Sequence, residues 1–116
     1  MQKWVLGLIA AVLAAPAVAA DTTVAVTAIV EHPALDATRD GIKDGLAEAG
    51  FVDGETITFV YESAQGQPAT AAQIARQFVG DEATVIVPIS TPSAQAAVAA
   101  TKDIPIVFTA VTDPMA

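Results

Sequence analysis

The run Thr84-Val85-Ile86-Val87-Pro88-Ile89, followed directly by Ser90-Thr91-Pro92-Ser93-Ala94-Gln95-Ala96, decides the fold. Its first six residues are nearly continuous in apolar, β-branched character, as expected of a parallel strand covered on both faces. Pro88 has no N–H to donate and argues against a fully regular central strand. Ser90, Thr91 and Ser93 then surround a proline suited to a first helical turn, and a helix is expected from Pro92 to about Lys102. Strand, small polar cluster and helix in immediate succession form the repeating unit of an open α/β sheet, where ligands bind outside the carboxyl ends of the strands.

The same unit recurs on either side. Thr22 to Val30 reads as a strand that runs into Glu31, His32 and Pro33. Between Leu35 and Ala49, the residues Leu35, Ile42, Leu46 and Ala49 share one helical face, and Gly50 sits where a left-handed cap would end the helix. Thr38 and Arg39 occupy places where that stripe would want another apolar residue. Asp53-Gly54 signals a turn before a second strand, Thr56 to Tyr61. Pro68 opens a helix whose Ala71, Ile74, Ala75, Phe78 and Val79 fit i, i+3, i+4, i+7, i+8, with Gly80 closing it. A fourth strand is expected at Pro105 to Thr109, followed by Thr112, Asp113 and Pro114.

The order β-α-β-α-β-α-β predicts an α/β fold, a parallel sheet with helices on both faces and right-handed crossovers. A doubly wound, flavodoxin-like strand order 2-1-3-4 is the expected topology, although a closed (β/α)8 barrel begins in the same way. The cadence breaks off at Ala116, after the fourth polar cluster, so the expectation is a partial domain.

Residues 1–20 stand apart from this pattern. Lys3 gives a positive start, the 17 residues from Trp4 to Ala20 are uncharged, Pro16 breaks the run, and Ala17-Val18-Ala19-Ala20 precedes the first acid, Asp21. This is the layout of a secretory signal peptide cut after Ala20 or Ala19, and it falls short of the ~20 apolar residues that a spanning helix needs. The mature chain is therefore expected to be exported. About 96 residues remain after cleavage, enough for one domain or a piece of one.

Composition narrows the function. The formal net charge of −8 becomes −9 when Lys3 is removed with the signal, which disfavours nucleic acid and anionic membrane surfaces as partners. The chain has no cysteine, so neither a disulfide framework nor a lipid-acceptor Cys is available. G-x-G-x-x-G, G-x-x-x-x-G-K-[ST] and G-x-S-x-G are all absent, and His32 is the single histidine. No cofactor or metal is expected from these patterns, and catalytic chemistry has little to stand on. Asp36, Asp40, Asp44 and Glu48 recur every four residues opposite the apolar stripe of the first helix, a solvated face eased by Arg39 and Lys43.

Binding remains. Ser90, Thr91 and Ser93 bring hydroxyls and free amides to one helix start, which suits either a simple N-cap or the seat of an anion such as an amino-acid carboxylate. Glu31 and His32 hold the same end of the first strand, with His32 kept extended by the following proline. Asp113 would either cap a following helix or accept a ligand's ammonium.

The stretches Val26 to Asp36, Gly41 to Leu46, Ala49 to Gly54, Ala64-Gln65-Gly66, Ala72 to Ala75, Thr91-Pro92-Ser93-Ala94-Gln95-Ala96 and Asp103 to Pro114 resemble the start of bacterial ABC-transporter substrate-binding proteins of the tryptophan/tyrosine type. The Thr91 to Ala96 and Phe108 to Pro114 blocks are the most specific parts of the likeness. The resemblance implies the partial first lobe of a two-lobed periplasmic binding protein that closes on an amino acid or similar small molecule and serves a membrane permease. Residues Glu31, His32, Ser90, Thr91, Ser93, Thr109, Thr112 and Asp113 would then line this lobe's half of the cleft. A ligand-sensing domain of the same fold and a secreted enzyme using Glu31, His32 or Asp113 are the alternatives.

Overall fold

The computed structural model describes residues 21–112. The signal-peptide reading, on residues 1–20, and Asp113 with Pro114 lie outside the described residues.

Six elements alternate as expected: β1 (Thr23–Ala28), α1 (Pro33–Glu48), β2 (Thr58–Ser63), α2 (Pro68–Gly80), β3 (Val85–Ile89) and α3 (Thr91–Ala100). All pairings are parallel and the sheet order is β2-β1-β3, with Val26 of β1 facing Tyr61 on one side and Val87 on the other. The fourth apolar run lies along the free edge of β3, extending the order in the expected 2-1-3-4 sense.

That fourth run is held by two isolated parallel bridges, Ile86 to Ile106 and Ile89 to Thr109, in place of the expected strand. Pro88 supplies the reason. Ile86 N–H donates to Pro105 O at 3.0 Å and Ser90 N–H donates to Thr109 O at 2.9 Å, so the intervening rung belongs to the N–H of residue 88. Proline has none, and the ladder is interrupted at its centre. On its β1 side the same proline sits in regular register opposite Thr27, so β3 itself remains a regular strand.

Other boundaries move for local reasons. β1 stops at Ala28 and leaves Ile29 and Val30 in a bend. β2 begins two residues later than its apolar pattern suggests: Val52 N–H donates to Thr56 Oγ1 at 2.7 Å and Phe59 N–H donates to Asp53 Oδ1 at 2.9 Å, which holds residues 52–57 as a turn. α1 ends as expected, with Gly50 at φ +98° and Phe51 N–H donating back to Leu46 O at 2.8 Å. Gly80, expected to close α2, is its last helical residue; the left-handed position falls on Glu82. α3 ends two residues short of Lys102, with Thr101 extended as its C-cap and its Oγ1 accepting from Asp103 and Ile104.

The helices divide between the two faces. α2 and α3 cover one face, where Ala25, Ile74, Phe78, Ile86 and Ala97 form a closed apolar cluster. α1 covers part of the other, with Leu35, Ile42 and Leu46 against Val24, Val26, Ala28, Val87 and Ile89. None of the 16 residues of α1 is buried by the described part of the chain. At the gap in its apolar stripe, Arg39 lies over the Tyr61 ring at 4.8 Å from the centroid, and one turn later Lys43 lies over Phe59 at 5.4 Å. Cation–π contact and the aliphatic stems thus take the place of a missing apolar residue. Arg39 also pairs with Asp36 and Asp40, while Lys43 reaches Asp53 at 3.5 Å instead of an acid on its own helix.

Candidate functional site

The carboxyl ends of β1 and β3 and the end of the fourth run deliver three loops to one edge of the sheet. The β3 to α3 junction is the tightest. Ser90 adopts φ 85°, ψ 162°, a region that is essentially reserved for glycine and costs on the order of 1–3 kcal/mol for any other residue. The strain is imposed from both sides: the Ser90 N–H is fixed to Thr109 O at 2.9 Å, and its carbonyl accepts the first α3 bond from Ala94 N–H at 3.1 Å.

This geometry settles what the three hydroxyls do. Ser90 is the N-cap of α3 by position, yet its side chain makes no capping hydrogen bond, and its Oγ is buried without a partner among the described residues. Thr91 Oγ1 accepts from Thr112 N–H at 3.1 Å, pinning the loop after the fourth run to the helix start. Ser93 is 1% exposed, and its Oγ likewise has no partner among the described residues. Pro92 removes one donor from the first turn, so the amides of Thr91 and Ser93 are the ones presented ahead of the first helical bond. Two buried hydroxyls and two N–H groups at a helix N-terminus make a neutral, donor-rich seat suited to a carboxylate.

Thr109 joins the cluster through its backbone, accepting from Ser90 and donating to Pro88 O at 3.2 Å; the residue also lines a groove on the α1 face. Thr112 is exposed and contributes the N–H that Thr91 accepts. Ala110, between them, is held at φ +58°, a second left-handed non-glycine residue in the same loop pair. Asp113 lies outside the described residues.

His32 has a definite local role. It is the N-cap of α1, and its Nδ1 accepts from Ala34 N–H at 3.1 Å, which leaves Nε2 as the ring's donor at the lip of the sheet. Glu31 beside it is exposed. The structure therefore joins Ser90 to Thr109 and Thr91 to Thr112 by hydrogen bonds, places Ser93 in the same first helical turn with its hydroxyl unbonded among the described residues, and sets Glu31 and His32 on the neighbouring loop.

One buried hydroxyl escaped the sequence reading. Thr27 is 2% exposed, stands one residue before the end of β1, and its Oγ1 is unpartnered among the described residues. The available signal was a hydroxyl inside an otherwise apolar, doubly covered strand. Among the described residues, no three His, Cys, Asp or Glu side chains gather to hold a metal ion.

An open parallel sheet of this order, with helices on both faces, is the architecture of part of a periplasmic binding protein lobe. The chain belongs to the ABC transporter substrate binding protein family, whose model matches residues 23–116. It is 47% identical over 92 residues to a tyrosine-binding protein of Clostridioides difficile, an alignment covering 79% of this chain and 27% of that protein. Among solved structures, a conserved domain protein of Vibrio cholerae O1 biovar El Tor is 63% identical with a TM-score of 0.80. A substrate binding protein with adhesive properties from Clostridium difficile, in its ligand-free, open form, is 51% identical at a TM-score of 0.79. An ABC domain in complex with L-Trp from Streptococcus pneumoniae is 36% identical at 0.77. Each of the three covers 81% of this chain, and the chain spans 32% of each. The chain thus spans about a third of the length of the relatives it matches, and the relatives with stated functions are binding proteins.

Proposed function

We propose that residues 21–116 form part of the N-terminal lobe of an exported solute receptor, the amino-acid-binding component of an ABC importer. The α3 N-terminus holds the ligand's carboxylate through the amides of Thr91 and Ser93 and the hydroxyls of Ser90 and Ser93. Glu31 or Asp113 faces the ammonium, His32 forms the lip, and Thr91 also fixes the loop carrying Thr112. A second lobe from further along the polypeptide supplies the opposite wall. Residues 1–20 are a signal peptide removed near Ala20, which places the receptor in the periplasm beside its membrane permease.

The observation that carries this reading is Ser90: a serine held in a glycine-only conformation beneath a helix N-terminus, with a buried hydroxyl that caps nothing. Strain of this kind persists where the surrounding structure is organised around a site. The relatives favour an aromatic amino acid as the ligand, one being tyrosine-binding and another holding L-Trp.

A thermal-shift panel of amino acids on the protein expressed from its complete reading frame tests the assignment. Tyrosine or tryptophan at ~100 times its dissociation constant adds about 2.7 kcal/mol of stability. No shift with any amino acid contradicts the ligand class.

A further inference from the structure

We propose that one ordered water, sealed between the sheet and α3, joins the Thr27 hydroxyl to the Ser93 hydroxyl, and that Thr27 acts through it as a positioning residue for the start of α3. The alternation of β1 fixes which way Thr27 points. Val24, Val26 and Ala28 pack on the α1 face and Ala25 on the other, so the Thr27 side chain enters the layer beneath α2 and α3. Ser93 enters the same layer from the helix side. It stands one turn before Ala97 of the closed cluster, and the two are almost equally enclosed.

The two hydroxyls also share a level along the strands. Thr27 is in register with Pro88, and α3 begins three residues after Pro88 and returns over the sheet, which brings its first turn back above this end of β3.

Neither hydroxyl has a hydrogen-bond partner among the described residues, so the two do not bond each other directly. A hydroxyl enclosed in this way without a partner bears the full cost of its lost hydration, and native cores rarely keep one. Buried waters are the usual remedy, each making about three hydrogen bonds to otherwise unsatisfied polar groups. The surrounding side chains suit one. The far half of the layer is filled by Ile74, Phe78 and Ile86, whereas Ala64, Ala71 and Ala94 are the buried side chains supplied by the end of β2 and the first turns of α2 and α3. A serine hydroxyl donates one proton and accepts through two lone pairs. Ser93 can thus accept from the water while its own proton is kept for an anion at the helix start. This last step rests on the carboxylate-seat reading above; the water itself does not.

Thr27→Val is the decisive change, because it keeps the shape of the side chain and removes only the hydroxyl. In the unliganded protein expressed from its complete reading frame, Thr27→Val and Ser93→Ala should each lower the thermal midpoint. The double variant should fall no further than the lower of the two, since one water serves both. An unchanged or raised midpoint for Thr27→Val means a dry hydroxyl and overturns the proposal. Losses that add in the double variant mean separate partners and overturn it too. The positioning role is read from calorimetric affinity for tyrosine and tryptophan, which Thr27→Val should weaken roughly fivefold. Thr27→Ser, which keeps the hydroxyl, should restore it. Unchanged affinity in Thr27→Val refutes the positioning role. A parent protein that binds neither amino acid refutes the ligand reading instead, and the midpoints then still decide the water.

Discussion

On the α2–α3 face of the sheet, Phe78, Ile86, Ala75 and Ala97 are almost wholly enclosed, and two helices lie side by side over them. On the α1 face a single helix covers the sheet, no residue of that helix is fully enclosed, and two cations stacked on aromatic rings stand where apolar residues would pack. The difference teaches that one face holds this part of the chain together while the other leaves an apolar groove open beside α1 among the described residues. Both faces meet at the carboxyl edge, where the strained Ser90 and the hydroxyls collect.

The contrast is sharpest in core truncations. Phe78→Ala on the closed face should cost about 3–5 kcal/mol, whereas Leu46→Ala on the open face should cost about 1 kcal/mol in the residue 21–116 chain, both read by urea unfolding. Equal losses would erase the distinction between the faces.

A finer probe uses the single tyrosine. The Tyr61 phenol is pushed above its ordinary value, first by its burial and then by Asp36, while Arg39 pulls it back down. A raised folded value favours the neutral form, so this contribution to stability is whole below the ordinary tyrosine range and is lost as pH rises through it. Arg39→Ala removes the opposing pull and should move the Tyr61 titration, followed by ultraviolet difference spectroscopy, to higher pH. A move to lower pH would contradict the stacked arrangement.

Much of the fold was legible because residue type and periodicity agreed. α2 shows an unbroken apolar pattern and buries Ala71, Ile74, Ala75 and Phe78. β1 and β3 are nearly continuous apolar runs; β1 is the central strand of the sheet, and β3 lies between it and the fourth run. The misread boundaries share another cause, side chains and missing donors that act on the backbone. Thr56 and Asp53 delay β2 through hydrogen bonds that no hydropathy pattern contains. Pro88 was visible, but its effect depends on which neighbour its missing N–H faces, and that is the fourth run, not β1. In the candidate site, the sequence Ser90-Thr91-Pro92-Ser93 announced a helix start with hydroxyls. Which hydroxyl is engaged and which is idle depends on the conformation of Ser90 and on a bond from Thr112, twenty-one residues away from Thr91. Thr27 was hidden because a lone threonine in a strand is ordinary by propensity.

Isothermal titration calorimetry tests the central claim most directly, with the complete protein and its Thr91→Ala, Ser93→Ala double variant compared for tyrosine and tryptophan binding. A carboxylate seat at the start of α3 predicts at least a tenfold loss of affinity in the double variant, with the far-ultraviolet circular dichroism spectrum of the unliganded protein retained. Unchanged affinity in a folded double variant would contradict the site.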